Sequence, residues 1–183
     1  MTTPWTSTFA WLLAACAAFL LAWASPNEAS VMGQVPAFMA RTLDRQPVHV
    51  PGGLPAERTL ALIAFRGAQK EHIDGWVTGL NLRQDRSIAW LRMPVLNDPG
   101  SVAGRDAIEN KLLSHYPADD ERARMMPVFT NRDDFVRSAG LGGTDQVYAV
   151  VVNRRGEVLA RAEGMFDAAK AQNLRETLLQ AGL

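Results

Sequence analysis

An α/β domain with a four-stranded mixed sheet and helices on both faces is predicted by three features of this 183-residue sequence. The first is Thr59–Phe65 (TLALIAF), a continuous apolar run followed at once by Ile73, Trp76, Val77 and Leu80 at helical spacing. The second is a return to strand character over Ser87–Val95 (SIAWLRMPV), which completes a strand–helix–strand unit. The third is Gln146–Glu163, in which QVYAVVV meets a turn at Asn153–Gly156 and a return strand. A strand buried on both faces reads as an unbroken apolar run, as does a buried helix segment. The helical period that follows Phe65 decides for the strand.

Taken in order, the chain opens with an uncharged segment. Residues 9–24 (FAWLLAACAAFLLAWA) are all apolar, and no Lys, Arg, Asp or Glu precedes Glu28. The run and its closing Ala22-Trp23-Ala24 fit a signal-peptide core with a small-x-small cleavage site, giving a signal over 1–24. Two other readings stay open. The run is marginally long enough for an uncleaved membrane anchor, which needs about 20 apolar residues. Leu13-Ala14-Ala15-Cys16 also matches a lipobox, so a lipidated Cys16 would tether the chain. Residues 25–46 read as a linker, with a short apolar element at Phe38–Leu43. The domain is expected over 47–183.

Within the domain, the prolines and paired glycines of Pro47–Pro55 exclude a helix and suit an edge strand. Gly67–Leu80 places its apolar residues on one helix face, and Lys70 and Asp74 stand four apart, a spacing that permits a weak surface pair. Pro94 is expected to limit the second strand, because proline has no N–H to donate to a ladder. Asn97-Asp98-Pro99-Gly100 is a turn. Arg105–Tyr116 reads as a helix with Ile108, Leu112 and Tyr116 inward. Met125–Thr130 is either a further strand or a buried connection. Asn131 is placed to cap a short helix through Phe135, Val136 and Ala139, stopped at Leu141-Gly142-Gly143. After the hairpin, a helix from about Asp167 to Ala181 carries Ala171, Leu174 and Leu178 on one stripe. The hairpin is expected beside the first strand of the strand–helix–strand unit.

Charge and cysteine content narrow the function classes. The 19 basic and 19 acidic residues balance, which excludes the overall basic character of a nucleic-acid binder. Cys16 is the sole cysteine. A chain cut after Ala24 therefore contains no disulfide, no thiolate nucleophile and no cysteine metal ligand.

The order of elements, together with Val147–Gly164 (VYAVVVNRRGEVLARAEG), resembles the thioredoxin-like superfamily, in which a hydrophobic strand meets an Asp/Asn-x-x-Gly turn and a return strand ending in Gly. The resemblance covers roughly Pro47 to Gly182 and implies a three-layer thioredoxin-like fold. It also implies where redox residues would stand. The C-x-x-C place after the first core strand reads Arg66-Gly67-Ala68-Gln69-Lys70-Glu71. The cis-proline place before the third core strand reads Gly143-Thr144-Asp145-Gln146. Neither holds the expected residue. Val147-Tyr148 and Gly156-Glu157-Val158 further resemble the thioredoxin-like mitochondrial ATP synthase assembly factors. Asn153 and Leu159-Ala160-Arg161 depart from the Asp and Ile-Arg-Trp usual there.

Arg66, Gln69, Lys70 and His72 form the candidate binding site, because they fall near a helix N-terminus whose free N–H groups favour anions. No catalytic residue, metal site or cofactor is expected. His72 lacks an H-E-x-x-H partner, and His49 and His115 lie in separate segments. The acidic groups Asp119-Asp120-Glu121 and Asp133-Asp134 lack the alternation of a calcium loop. Trp76 and Trp90 are assigned to the core. The sequence thus points to an exported, cysteine-free binding or assembly module of the cell envelope, periplasmic or membrane-anchored, acting on a protein partner. Two alternatives remain: an oxidoreductase of the thioredoxin or peroxiredoxin kind, which requires a thiol, and a small anion-binding protein.

Overall fold

The computed structural model describes residues 31–180. The apolar run at 9–24 and Cys16 lie outside them. Thirteen elements cannot be laid on one sheet, and the chain divides them into three layers around a five-stranded sheet of order β5–β4–β3–β6–β7. Strand β3 (Arg58–Ala64) pairs in parallel with β4 (Trp90–Asn97) on one side and antiparallel with β6 (Tyr148–Asn153) on the other. Strand β7 (Val158–Glu163) closes the hairpin beside β6. The expected neighbour relation, with the hairpin beside the first strand of the strand–helix–strand unit, is the one found.

The fifth strand corrects the expected count of four. Val128–Thr130 forms β5, a three-residue edge strand parallel to β4 in register Val95↔Val128 to Asn97↔Thr130. Pro94 does not limit β4, which runs on to Asn97. It sits where the ladder to β3 ends (Ala64↔Pro94) and that to β5 begins, so little pairing rests on its missing donor. The expected linker is also folded where it is described. Residues Phe38–Arg41 form β1, paired antiparallel with β2 (Pro47–Val50) in a separate hairpin. Val35 and Leu43 are buried, and the backbone of Met32 and Val35 bonds to that of Val158 and Gly156.

The helices follow their apolar stripes. A 3₁₀ turn at Gly67–Gln69 leads into α1 (Lys70–Gly79), which buries Ile73, Trp76 and Val77. Trp76 is fully buried, and its indole N–H donates to the Gly164 carbonyl at 2.9 Å, tying α1 to the end of β7. Phe166 meets the same indole edge-to-face at 5.3 Å. Gly79 permits that contact, since a Cβ there would lie 2.4 Å from the Phe166 ring. The helix α2 (Val102–His115) is capped by Ser101 and only half-buries Ile108 and Leu112, whereas Tyr116 beyond its end is buried. A short α3 (Asp119–Ala123) follows. Asn131 caps α4 (Arg132–Ser138) by accepting from the N–H groups of Asp133 and Asp134, and Phe135 and Val136 face inward. Asp167 caps α5 (Ala168–Leu179), which buries Ala171 and Leu174.

Two large apolar clusters result among the described residues, one on each face of the sheet, beside a small third one of Leu43, Tyr116 and Met125. One packs Ile63, Phe65, Met93, Val95 and Val150 under α4 and the β1–β2 hairpin. The other packs Leu60, Leu62, Trp90 and Val151 under α1 and α5. Among the described residues, no helix is long and apolar enough to cross a membrane.

Candidate functional site

The junction between β3 and α1 is set by one side chain. Gln69 is buried, and its Oε1 accepts from the backbone N–H of Phe65 at 2.7 Å and of Arg66 at 3.2 Å. Its Nε2 donates to the Thr144 carbonyl at 3.0 Å. The Arg66 guanidinium reaches the same loop, pairing with the Asp145 carboxylate and donating to the Thr144 carbonyl at 3.4 Å. The two segments that would carry a redox site are therefore stitched together by Gln69 and Arg66. Neither carries a thiol. The cis peptide among the described residues, Val50–Pro51, lies at the end of β2 rather than before β6.

This geometry changes the expected anion site. The candidates Arg66, Gln69 and Lys70 are brought together, but each is already engaged. Arg66 has Asp145, Gln69 has three backbone partners, and the Lys70 ammonium donates to Asp74 Oδ2 at 2.7 Å. His72 is half-buried on α1, next to Glu71. Arg66 and Asp145 are largely exposed, and a pair in that setting contributes little.

Behind Lys70 lies a more consequential arrangement that the sequence did not reveal. Asp74 Oδ1 accepts from Arg92 Nη1 at 2.6 Å, so one carboxylate bridges an ammonium and a guanidinium. Arg92 projects from the middle of β4 onto the face covered by α1, and its side chain is only 3% exposed. Its guanidinium lies 5.3 Å from the ring of Tyr116 and 5.9 Å from that of Trp90, within cation–π range. Lys70 also approaches the Tyr116 ring, at 5.8 Å. Burial alone would raise the Asp74 carboxyl. The hydrogen bonds and charges of Lys70 and Arg92 outweigh it and hold the group below the usual carboxylate range. Asp74 in turn holds the Lys70 ammonium above its ordinary value by hydrogen bonding.

Arg92 lines a cavity of about 110 Å³ between α1 and the last turn of α2, over β4. Leu62, Leu96, Leu112 and Met125 supply apolar wall, and Lys70 stands at its polar side. The Arg92 Nε is buried and has no hydrogen-bond partner among the described residues. Nη1 is the guanidinium nitrogen with a carboxylate partner. The lone signal in the sequence is an arginine inside the strand SIAWLRMPV, at the same parity as Trp90. Its carboxylate partner lies on the preceding helix, and no local pattern connects the two. Among the described residues, no three His, Cys, Asp or Glu side chains lie close enough to hold a metal ion.

No family model and no curated protein matches the chain. Solved structures do. A proposed electron transfer protein of Aquifex aeolicus VF5 superposes with a TM-score of 0.57 at 10% identity, covering 84% of this chain and 96% of its own. A proposed electron transport protein of the same organism gives 0.55 at 12% identity, covering 84% and 100%. BsSco, a member of the Sco family of cytochrome c oxidase assembly proteins, gives 0.53 at 15% identity, covering 80% and 94%. At such identities the likeness is one of fold, and that fold is thioredoxin-like.

Proposed function

We propose that this chain is a redox-inactive thioredoxin-like module that binds or helps to assemble a protein partner in the cell envelope. The observation that carries this reading is the junction at Gln69. Both segments that would hold redox residues are present and correctly apposed, yet a carboxamide and an ion pair join them in place of a thiol and a cis-proline. A scaffold kept while its nucleophile is absent fits a binding role, because thiol–disulfide exchange needs a thiolate.

Two further points support the placement. The apolar run at 9–24 fits export, with retention at the membrane through that run or through a lipidated Cys16 as the other routes. The VY and Gly-Glu-Val features at Val147-Tyr148 and Gly156–Val158 resemble those of thioredoxin-like assembly factors. The partner is expected to be a protein of the envelope, with neither nucleic acid nor cofactor involved.

Crosslinking of the tagged full chain in its native envelope, followed by pull-down and mass spectrometry, tests the reading. A single stoichiometric protein partner supports it, and the absence of any partner above background refutes it. Intact mass of the recovered protein tests the export route. A chain beginning at Ser25 has no cysteine and also removes the oxidoreductase alternative. A chain retaining 1–24, or one carrying lipid on Cys16, gives an anchored module instead.

A further inference from the structure

The cavity over β4 is walled mainly by hydrocarbon, with one nearly buried guanidinium in its lining. Buried charges are ordinarily paired. Here Arg92 and Lys70 supply two cations against the one carboxylate of Asp74, with Arg92 nearly all buried and Lys70 partly exposed at the mouth. Arg66 does not alter the sum, since Asp145 neutralises it. One positive charge is left over, together with an unpartnered Nε on a side chain that is nearly all buried. A guanidinium has a planar fork of donors that matches a carboxylate.

The rest of the wall sets the other half of the ligand. Leu62, Leu96, Leu112 and Met125 offer nothing to a hydrated inorganic anion but would desolvate a short hydrocarbon chain. The volume, about 110 Å³, is somewhat below that of an engineered 150 Å³ cavity known to accept benzene. It suits a branched chain of a few carbons.

We propose that this cavity binds a small aliphatic monocarboxylate, its carboxylate on the free donors of Arg92 and its hydrocarbon against Leu62, Leu96 and Leu112. Asp74 and Lys70 then act as the groups that hold Arg92 in place, and Tyr116 supports the guanidinium plane. This site is separate from the protein-binding role proposed above, and a failure of either leaves the other standing.

The test is titration of the full chain with 3-methylbutanoate, read by calorimetry and by NMR shifts of the methyl groups of Leu62 and Leu112. The expected result is one site per chain, with shifts centred on those methyls. The neutral 3-methylbutanamide should bind at least about tenfold more weakly, a difference of about 1.4 kcal/mol at 25 °C. Inorganic phosphate should leave the leucine methyls unmoved. R92K retains the charge but loses the fork, and L112W fills the cavity without touching charge. Each should weaken 3-methylbutanoate at least tenfold. Absence of binding at millimolar acid overturns the proposal, as does equal binding of acid and amide or of phosphate. If either variant fails to fold, the acid–amide–phosphate series on the unaltered chain still decides.

Discussion

The two faces of the sheet are built from alternate residues of the same strands, yet they are unlike. On the face under α4, β4 contributes Leu91, Met93 and Val95, which join Ile63, Phe135 and Val150 in a sealed apolar layer. On the face under α1 the same strand contributes Trp90 and then Arg92, a cation in the middle of what is otherwise hydrocarbon. Strand alternation separates the two roles with no extra structure. One face can be optimised for packing while the other keeps a polar group and a cavity beside it. The sealed layer lies under α4, and the polar group with its cavity lies on the face that α1 covers.

The largest effects should come from the sealed face. Phe135 is 1% exposed and fills the space between α4 and the sheet. F135A should cost about 3–5 kcal/mol, by lost transfer energy and by the cavity left behind. Urea unfolding followed by circular dichroism measures it. A loss below about 1 kcal/mol would show that this face is loosely packed and would remove the contrast just drawn.

The polar face should respond differently to one substitution than to two. D74A leaves Arg92 buried with its strongest partner gone and should cost about 2–3 kcal/mol, tempered by the partial exposure of Asp74. The double variant D74L/R92M replaces the pair by hydrocarbon of similar size and should recover most of that loss. Additive losses in the double variant would mean that the ion pair contributes net stability. The same pair makes a pH prediction. Asp74 titrates lower in the folded chain than the ordinary value of about 3.9. Its contribution is fully present above that ordinary value and is lost as the pH falls through the lower, folded-state value. Acid unfolding below about pH 4 should therefore be shallower in D74N than in the unaltered chain.

Much of the fold was legible in the sequence. The run Thr59–Phe65, the α1 stripe of Ile73, Trp76 and Val77, the Asn131 cap and the Asn153–Gly156 turn are local patterns, and local patterns survive into the fold. The elements the sequence left open are those whose definition is tertiary. Strand β5 has three residues and exists because β4 offers it an edge. Strand β1 is paired through Phe38↔Val50 in a stretch that reads only as a short apolar element within a linker. The polar face was legible only in part. Lys70–Asp74 was visible as a helix pair, but the third member, Arg92, comes from the next strand. Arg66 and Lys70, expected together in one binding cluster, are each paired with a carboxylate, Asp145 from far along the chain and Asp74 from the same helix.

The smallest effects sharpen the comparison at the junction between the two faces. Gln69 and the Arg66–Asp145 pair span the same gap, one buried and one exposed. Q69A strands the N–H groups of Phe65 and Arg66, leaves the Thr144 carbonyl only its longer bond from Arg66, and should cost about 1–3 kcal/mol. D145A removes a screened surface pair and should stay within about 0.5 kcal/mol of the unaltered chain. Hydrogen exchange separates the two beyond the unfolding midpoint. In Q69A the Phe65 amide, bonded to Oε1 at 2.7 Å, should exchange markedly faster, whereas in D145A it should keep its protection. Equal protection in both variants would place the stitching of the junction in the backbone rather than in Gln69. Gln69 would then not be what holds the two segments together.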